Sequence, residues 1–181
     1  MDKDVEKILY DEKSLENKAA ELAELINNDY KGKKLVVVGI LKGCIVFLAD
    51  LFRRIKVDCE LDFMAASSYG SSTESSGELI IKKDLSADIR NKDVLIVEDI
   101  LDTGNTLYRL KDYIRSKNPA SVKLCVLFDK PDRRKRNIRA DYCGYTIDDL
   151  FIVGYGLDYD EKYRNLPYVG VLKPEIYNKS N

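Results

Sequence analysis

Apolar positions along the chain recur with two periods. From Ser14, a suitable N-cap, Leu15, Ala19, Leu22, Leu25 and Ile26 share one helical face and predict a first helix ending near Asn27-Asn28. Leu35 to Ile40 is an unbroken apolar run, the pattern of a parallel strand covered on both faces. The tight turn Leu41-Lys42-Gly43 then leads into a helical pattern through Val46, Phe47, Leu51 and Phe52. Cys59 to Ala65 alternates, with Leu61, Phe63 and Ala65 as its apolar set, and reads as a strand. Val94 to Val97 is a second strand without polar alternation, and Leu107, Leu110 and Ile114 mark the helix behind it. Asn118-Pro119 closes that helix, and Ser121 to Phe128 supplies the next strand. Asp141 to Ile147, Leu150 to Tyr155 and Tyr168 to Leu172 read as three more short strands, and the polar tail after Pro174 as frayed.

Strands alternating with helices predict an α/β fold: a doubly wound, mainly parallel sheet flanked by helices, with a small hood of short strands from the N- and C-terminal segments. Ser67 to Gly77 is nearly all Ser, Thr and Gly around Tyr69, a composition that cannot pack a core. Leu79 to Lys82 returns as a strand, so residues 67–84 are expected to form a flexible hairpin lid over a site. With 181 residues and no internal repeat, the chain fits one domain, 1–181.

Chemistry concentrates behind Val97. Glu98, Asp99 and Asp102 are followed by Thr103-Gly104-Asn105-Thr106, a small, hydroxyl-rich turn that opens a helix. Such a turn aims backbone N–H groups and hydroxyls at one point beside the positive helix end, which makes a phosphate cradle. Carboxylates repel phosphate, so the acidic residues should face a divalent cation or sugar hydroxyls. Phosphate at one end and a diol or metal at the other describes ribose 5-phosphate. There is no G-x-x-x-x-G-K-[ST], and no Lys lies in the turn, so a P-loop is disfavoured. A bare D-x-G-x-T would read as an ordinary capped βα turn; the full string carries more.

Lys42 sits in another Gly turn before a helix, and Lys130 in Asp129-Lys130-Pro131 at the carboxyl end of a strand, where ligands of parallel sheets collect. Lys130 to Arg136 is the one dense basic run. It reads as a solvated loop, with an RNA-facing patch the weaker alternative. Taken alone, Phe151 is a core residue and Asp158 a helix cap.

The remaining composition narrows the function class. Thirty basic against 31 acidic residues give a net charge of -1, with no global drive toward nucleic acid or anionic membrane. No stretch approaches a membrane span and the start carries no apolar leader, so a cytoplasmic protein is expected. Cys44, Cys59, Cys125 and Cys143 are widely spaced, which suits packed thiols better than a zinc site. The chain has no His, so proton transfer falls to Asp, Glu, Lys, Tyr or water.

Val-Glu-Asp-Ile-Leu-Asp-Thr-Gly-Asn-Thr resembles the signature of the phosphoribosyltransferases. Together with Leu-Lys-Gly, Ser-Tyr-Gly, Asp-Lys-Pro and Phe-Ile-Val-Gly-Tyr-Gly-Leu-Asp-Tyr, in this order over roughly residues 35–172, it resembles their hypoxanthine branch, with a type I fold. That resemblance implies purine salvage: transfer of ribosyl phosphate from phosphoribosyl diphosphate to N9 of hypoxanthine or guanine, with magnesium. It implies that Glu98 and Asp99 hold the ribose hydroxyls, directly or through magnesium, and that Asp158 holds a second magnesium. Asp102 matches the proton acceptor near N7, and Asp102 to Thr106, including Thr103, Gly104 and Asn105, the 5'-phosphate loop. Lys130 matches the donor to O6, Phe151 the ring that stacks on the base, and Ile152 the residue whose backbone reads the base edge. Lys42, Gly43 and Arg164 match the diphosphate contacts, with Ser68 and Tyr69 the lid pair, and the Leu41-Lys42 peptide matches one that can be cis. Leu150 departs from relatives that carry a charge there. A homodimer or homotetramer is implied by resemblance only. The competing readings are a regulatory descendant that binds phosphoribosyl diphosphate and a nucleic acid without catalysis, and a phosphorelay receiver. The first predicts a lost acceptor carboxylate, and the second does not fit the Asp-Thr-Gly-Asn-Thr cradle.

Overall fold

In the computed structural model, which describes residues 2–68 and 79–178, the chain runs as β1 (Val5–Tyr10), α1 (Glu12–Asp29), β2 (Leu35–Ile40), α2 (Ile45–Phe52), β3 (Cys59–Ser68) and β4 (Leu79–Lys83). It continues as β5 (Asp93–Leu101), α3 (Asn105–Arg115), β6 (Ser121–Asp129), β7 (Tyr142–Thr146), β8 (Ile152–Val153), β9 (Val169–Leu172) and the single turn α4 (Pro174–Tyr177). The apolar run of β2 is buried at every position, as a strand covered on both faces requires. Six strands form one sheet in the order β4-β3-β2-β5-β6-β7, parallel except for β4, which is antiparallel to β3. The chain winds outward from β2 to β3, then returns past β2 to β5 and winds the other way. Strand order therefore reverses between β2 and β5, which opens a crevice at their carboxyl ends.

The period of two divides the core between the sheet's faces. Val37, Leu95 and Val97 pack against Leu15, Leu22 and Ile26 of α1 and Phe47 and Leu51 of α2. Val36, Val38 and Ile96 pack against Leu107, Leu110 and Ile114 of α3. A second sheet, β1-β9-β8, makes the hood over the crevice.

Several expectations are corrected. The first helix is capped by Asp11, whose carboxylate accepts from the Ser14 N–H at 2.8 Å, so Ser14 lies inside the helix. β1 was not anticipated, because Val-Glu-Lys-Ile-Leu-Tyr follows neither period cleanly. β7 belongs to the main sheet beside β6, not to the hood. The segment after Pro174 is a helical turn. All four cysteines are free, but Cys143 is exposed where packed thiols were expected. In β3 Phe63 packs against the core as its pattern suggests, whereas Leu61 faces solvent and the polar Asp62 is buried along with Met64.

The burial of Asp62 is explained by its partners. Its carboxylate accepts from the N–H groups of Ser86 (2.6 Å), Ala87 (2.8 Å) and Phe63 (2.7 Å), and Lys83 adds an ion pair at 3.3 Å. Burial alone raises its pKa, yet these donors outweigh burial and leave the carboxyl below its ordinary value. A lowered folded-state pKa contributes stability above the unfolded-state value and loses it as pH falls through the folded one. Asp62→Ala is expected to cost about 2–3 kcal/mol near neutral pH, and the gap to wild type should close in acid. Urea denaturation across pH checks both; a gap independent of pH would refute the ionised-anchor account.

Candidate active site

β5 continues past Val97 through both acidic residues to Leu101, so the carboxylates expected beyond the strand are held within it. The ladder to β6 runs Glu98 to Val126, Ile100 to Phe128 and Leu101 to Asp129. Successive residues leave a strand on opposite faces, which sets Glu98, Ile100 and Asp102 in one row. All three line a cavity of about 220 Å³ together with Thr103, Gly104 and Asn105. Gly104, at φ +78°, is the N-cap of α3, and the first helical turn, whose Asn105 N–H donates to Thr103 Oγ1 at 3.4 Å, borders this wall. The residues read from the sequence as a phosphate cradle therefore share one cavity wall with Glu98 and Asp102.

A second cavity of about 530 Å³ adjoins it, walled by Asp99, Lys130, Phe151, Ile152, Asp158 and Tyr177, among others. Ile100 and Asp102 line both cavities and form their junction. Lys130 is buried; its Nζ donates to Leu150 O at 2.6 Å and lies 3.5 Å from Asp149. Phe151 stacks on Tyr177 with centroids 4.7 Å apart and meets Tyr159 edge-on at 5.5 Å. The residue read alone as core is therefore part of the cavity wall, 37% exposed.

The β2 loop closes the crevice from the other side. The Leu41-Lys42 peptide is cis, as the resemblance implied. A Cβ on Gly43 would lie 1.8 Å from Asp99 Oδ2, so only glycine lets this loop reach the carboxylate. Arg164 donates to Gly156 O at 2.9 Å and pairs with Asp158 at 2.8 Å and Glu161 at 3.1 Å; Lys42 also reaches Glu161, at 3.1 Å.

Burial, then the neighbouring Asp99 charge, push the Glu98 carboxyl well above its usual range, and burial raises Asp99 as well. Such a pair gains from a cation or from hydroxyl donors. Glu98, Asp99 and Asp158 do not form one cage, however. Among the described residues no three metal-ligating side chains converge: Glu98 and Asp99 interact with each other, and Asp158 is paired with Arg164.

The basic run is mostly exposed, as the solvated-loop reading expected, but its arginines also pair inward. Arg133 Nε donates to Asp102 at 2.7 Å and its Nη1 to Asp149 at 2.9 Å; Arg134 bonds Asp129 and the Asp102 carbonyl, and Arg136 donates to Asn105 at 3.0 Å. These arginines turn back onto the site's own loops. Ser68 ends β3, whereas Tyr69 and the rest of the segment expected to form a lid, to residue 78, lie outside the described residues. Sequence reasoning missed Ile100, Arg133, Asp149, Leu157 and Tyr177. Only Ile100 carried a signal, its place two residues from both Glu98 and Asp102.

A phosphoribosyl transferase domain matches residues 6–160. The chain is 50% identical over 179 residues to the hypoxanthine-guanine phosphoribosyltransferase of Streptococcus thermophilus, covering 99% of each chain. It is 51% identical over 179 residues to that of Staphylococcus epidermidis, covering 99% of this chain and all of the relative. A crystal structure of a hypoxanthine phosphoribosyltransferase from Staphylococcus aureus superimposes with a TM-score of 0.94 at 51% identity, over 98% of this chain and 96% of that one.

Proposed function

The chain belongs to the phosphoribosyltransferase family, as a purine-salvage enzyme of the hypoxanthine-guanine kind, and on that premise we propose which residues carry the transfer. The reaction moves the 5-phosphoribosyl group of phosphoribosyl diphosphate to N9 of hypoxanthine or guanine and releases diphosphate. The junction at Asp102 carries the proposal: a base in the larger cavity and a ribosyl phosphate in the smaller one meet beside the same carboxylate.

Thr103, Gly104, Asn105 and Thr106 hold the 5'-phosphate at the positive end of α3. Glu98 and Asp99 take the ribose hydroxyls. Phe151 stacks on the base, the Ile152 backbone reads its edge, and Lys130 gives O6 one ammonium proton while the others stay with Leu150 and Asp149. A 6-amino group offers Lys130 no comparable acceptor, so adenine is rejected. As the C1–diphosphate bond opens, oxocarbenium character grows on the ribose and negative charge on the leaving group, which Lys42, Gly43 and Arg164 receive. Ser68 and Tyr69 complete that side by resemblance. The ring becomes cationic as N9 attacks, and Asp102 then takes the N7 proton.

Among the described residues the carboxylates stand in ones and twos, a donor set that suits magnesium, which keeps positions for water and diphosphate oxygens. Bound at Glu98 and Asp99 or at Asp158, magnesium supplies charge neutralisation for the departing group. We place the enzyme in the cytoplasm as a homodimer or homotetramer on family grounds. Among the described residues no helix is long and apolar enough to cross a membrane.

Incubation with hypoxanthine and phosphoribosyl diphosphate, read by mass spectrometry, should give the nucleoside 5'-monophosphate only when both are present. Free ribose 5-phosphate as the sole product would contradict transfer to the base. Gly43→Ala should lower kcat/KM by about 10²-fold by driving the Asp99 carboxylate out of place, with little change in melting temperature. An unaltered rate would show that Asp99 is not needed there.

A further inference from the structure

Two loops meet on the side of the crevice where diphosphate departs. Gly156, at φ +103°, lies so close to the β2 loop that a Cβ there would sit 2.1 Å from Gly43 O. This backbone contact brings Lys42 and Arg164 to one place, and Glu161 stands between them. Its Oε2 accepts from Lys42 Nζ at 3.1 Å and from Arg164 Nη2 at 3.1 Å. Glu161 is the only ion-pair partner of Lys42 among the described residues. Arg164 also pairs with Asp158, yet its Nε is buried without a hydrogen-bond partner.

Asp160 and Glu161, both left-handed at φ +51° and +61°, are the central pair of a two-residue hairpin turn. Tyr159 and Lys162 close the turn with reciprocal backbone bonds of 3.2 and 3.0 Å, and the Glu161 N–H donates to Asp158 Oδ2 at 2.9 Å. A carboxylate oxygen is thereby held between the two cations that would receive the oxygens of a leaving diphosphate.

We propose that Glu161 is a positioning residue that competes with diphosphate oxygens for Lys42 and Arg164 and so sets the affinity for phosphoribosyl diphosphate and for released diphosphate. The inference rests on the assignment of Lys42 and Arg164 to the diphosphate subsite. A tighter diphosphate subsite would slow product release, which gives this carboxylate a use in turnover.

The test is Glu161→Gln in the full chain, with binding of inorganic diphosphate by calorimetry and KM for phosphoribosyl diphosphate at saturating hypoxanthine. Loss of two exposed ion pairs should tighten both constants by roughly three- to tenfold, leaving KM for hypoxanthine in place. Glu161→Asp, which keeps the charge, should stay nearer to wild type. Unchanged or weaker diphosphate binding in Glu161→Gln would overturn the inference, since a merely structural Glu161 could only weaken the site when lost. Arg164→Ala separates the two levels of argument. If it weakens diphosphate binding while Glu161→Gln fails to tighten it, only the competition is wrong; if it has no effect, the subsite assignment itself falls.

Discussion

Asp102→Asn is expected to lower kcat with hypoxanthine by about 10²- to 10⁴-fold, the usual worth of a positioned general base, while KM for phosphoribosyl diphosphate moves only a few-fold. The substitution is chosen for what it preserves. Asparagine keeps the shape of the side chain, and its carbonyl can still accept from Arg133 Nε, now at 2.7 Å, but it cannot accept the N7 proton. Because Asp102 lines both cavities, a role in binding ribosyl phosphate is the natural rival. Steady-state kinetics with each substrate varied in turn separates them. Equal losses in kcat and in phosphoribosyl diphosphate affinity would assign Asp102 to binding.

Lys130→Gln should lower kcat/KM for hypoxanthine by about 10²- to 10³-fold and narrow the preference over adenine, because a site built around a donor rejects a base that lacks the acceptor. Lys130 is buried in the cavity wall with its ammonium held by Leu150 O and near Asp149, so its donor direction is fixed before the base arrives. Asp149 keeps its contact with Arg133 at 2.9 Å when Lys130 is replaced, so the wall should survive the change. The ratio of kcat/KM for hypoxanthine over adenine is the readout. A ratio equal to wild type would place recognition of the 6-position elsewhere.

Much of the architecture was legible because burial imposes period. Leu35–Ile40 was read with its observed bounds, since a strand covered on both faces admits no polar residue. The buried face of α3 was likewise read in full, as Leu107, Leu110 and Ile114. Errors arose where a polar residue is buried with its own partners. Asp62 is buried because it gathers three N–H donors and Lys83, which the apolar alternation of β3 does not record. The cap at Asp11 was misplaced to Ser14 because both are good N-caps, and only the hydrogen bond between them decides.

The site divides along the same line. Its contiguous part, Glu98 to Thr106, was visible because strand, carboxylates and cradle follow one another in the chain. Tyr177 reaches Phe151 only because β9 and α4 return to the crevice, a tertiary fact without local signal. Arg133 was counted into a basic run, and charge counting cannot show that it folds back onto Asp102 and Asp149.

The central claim is that these two joined cavities couple a 6-oxopurine to ribosyl phosphate. Its most direct test is release of diphosphate by the purified chain with magnesium and phosphoribosyl diphosphate, offering hypoxanthine, guanine, xanthine and adenine separately. Turnover with hypoxanthine and guanine and none above background with adenine is the predicted result. Binding of phosphoribosyl diphosphate without turnover on any base would contradict it and return the regulatory reading.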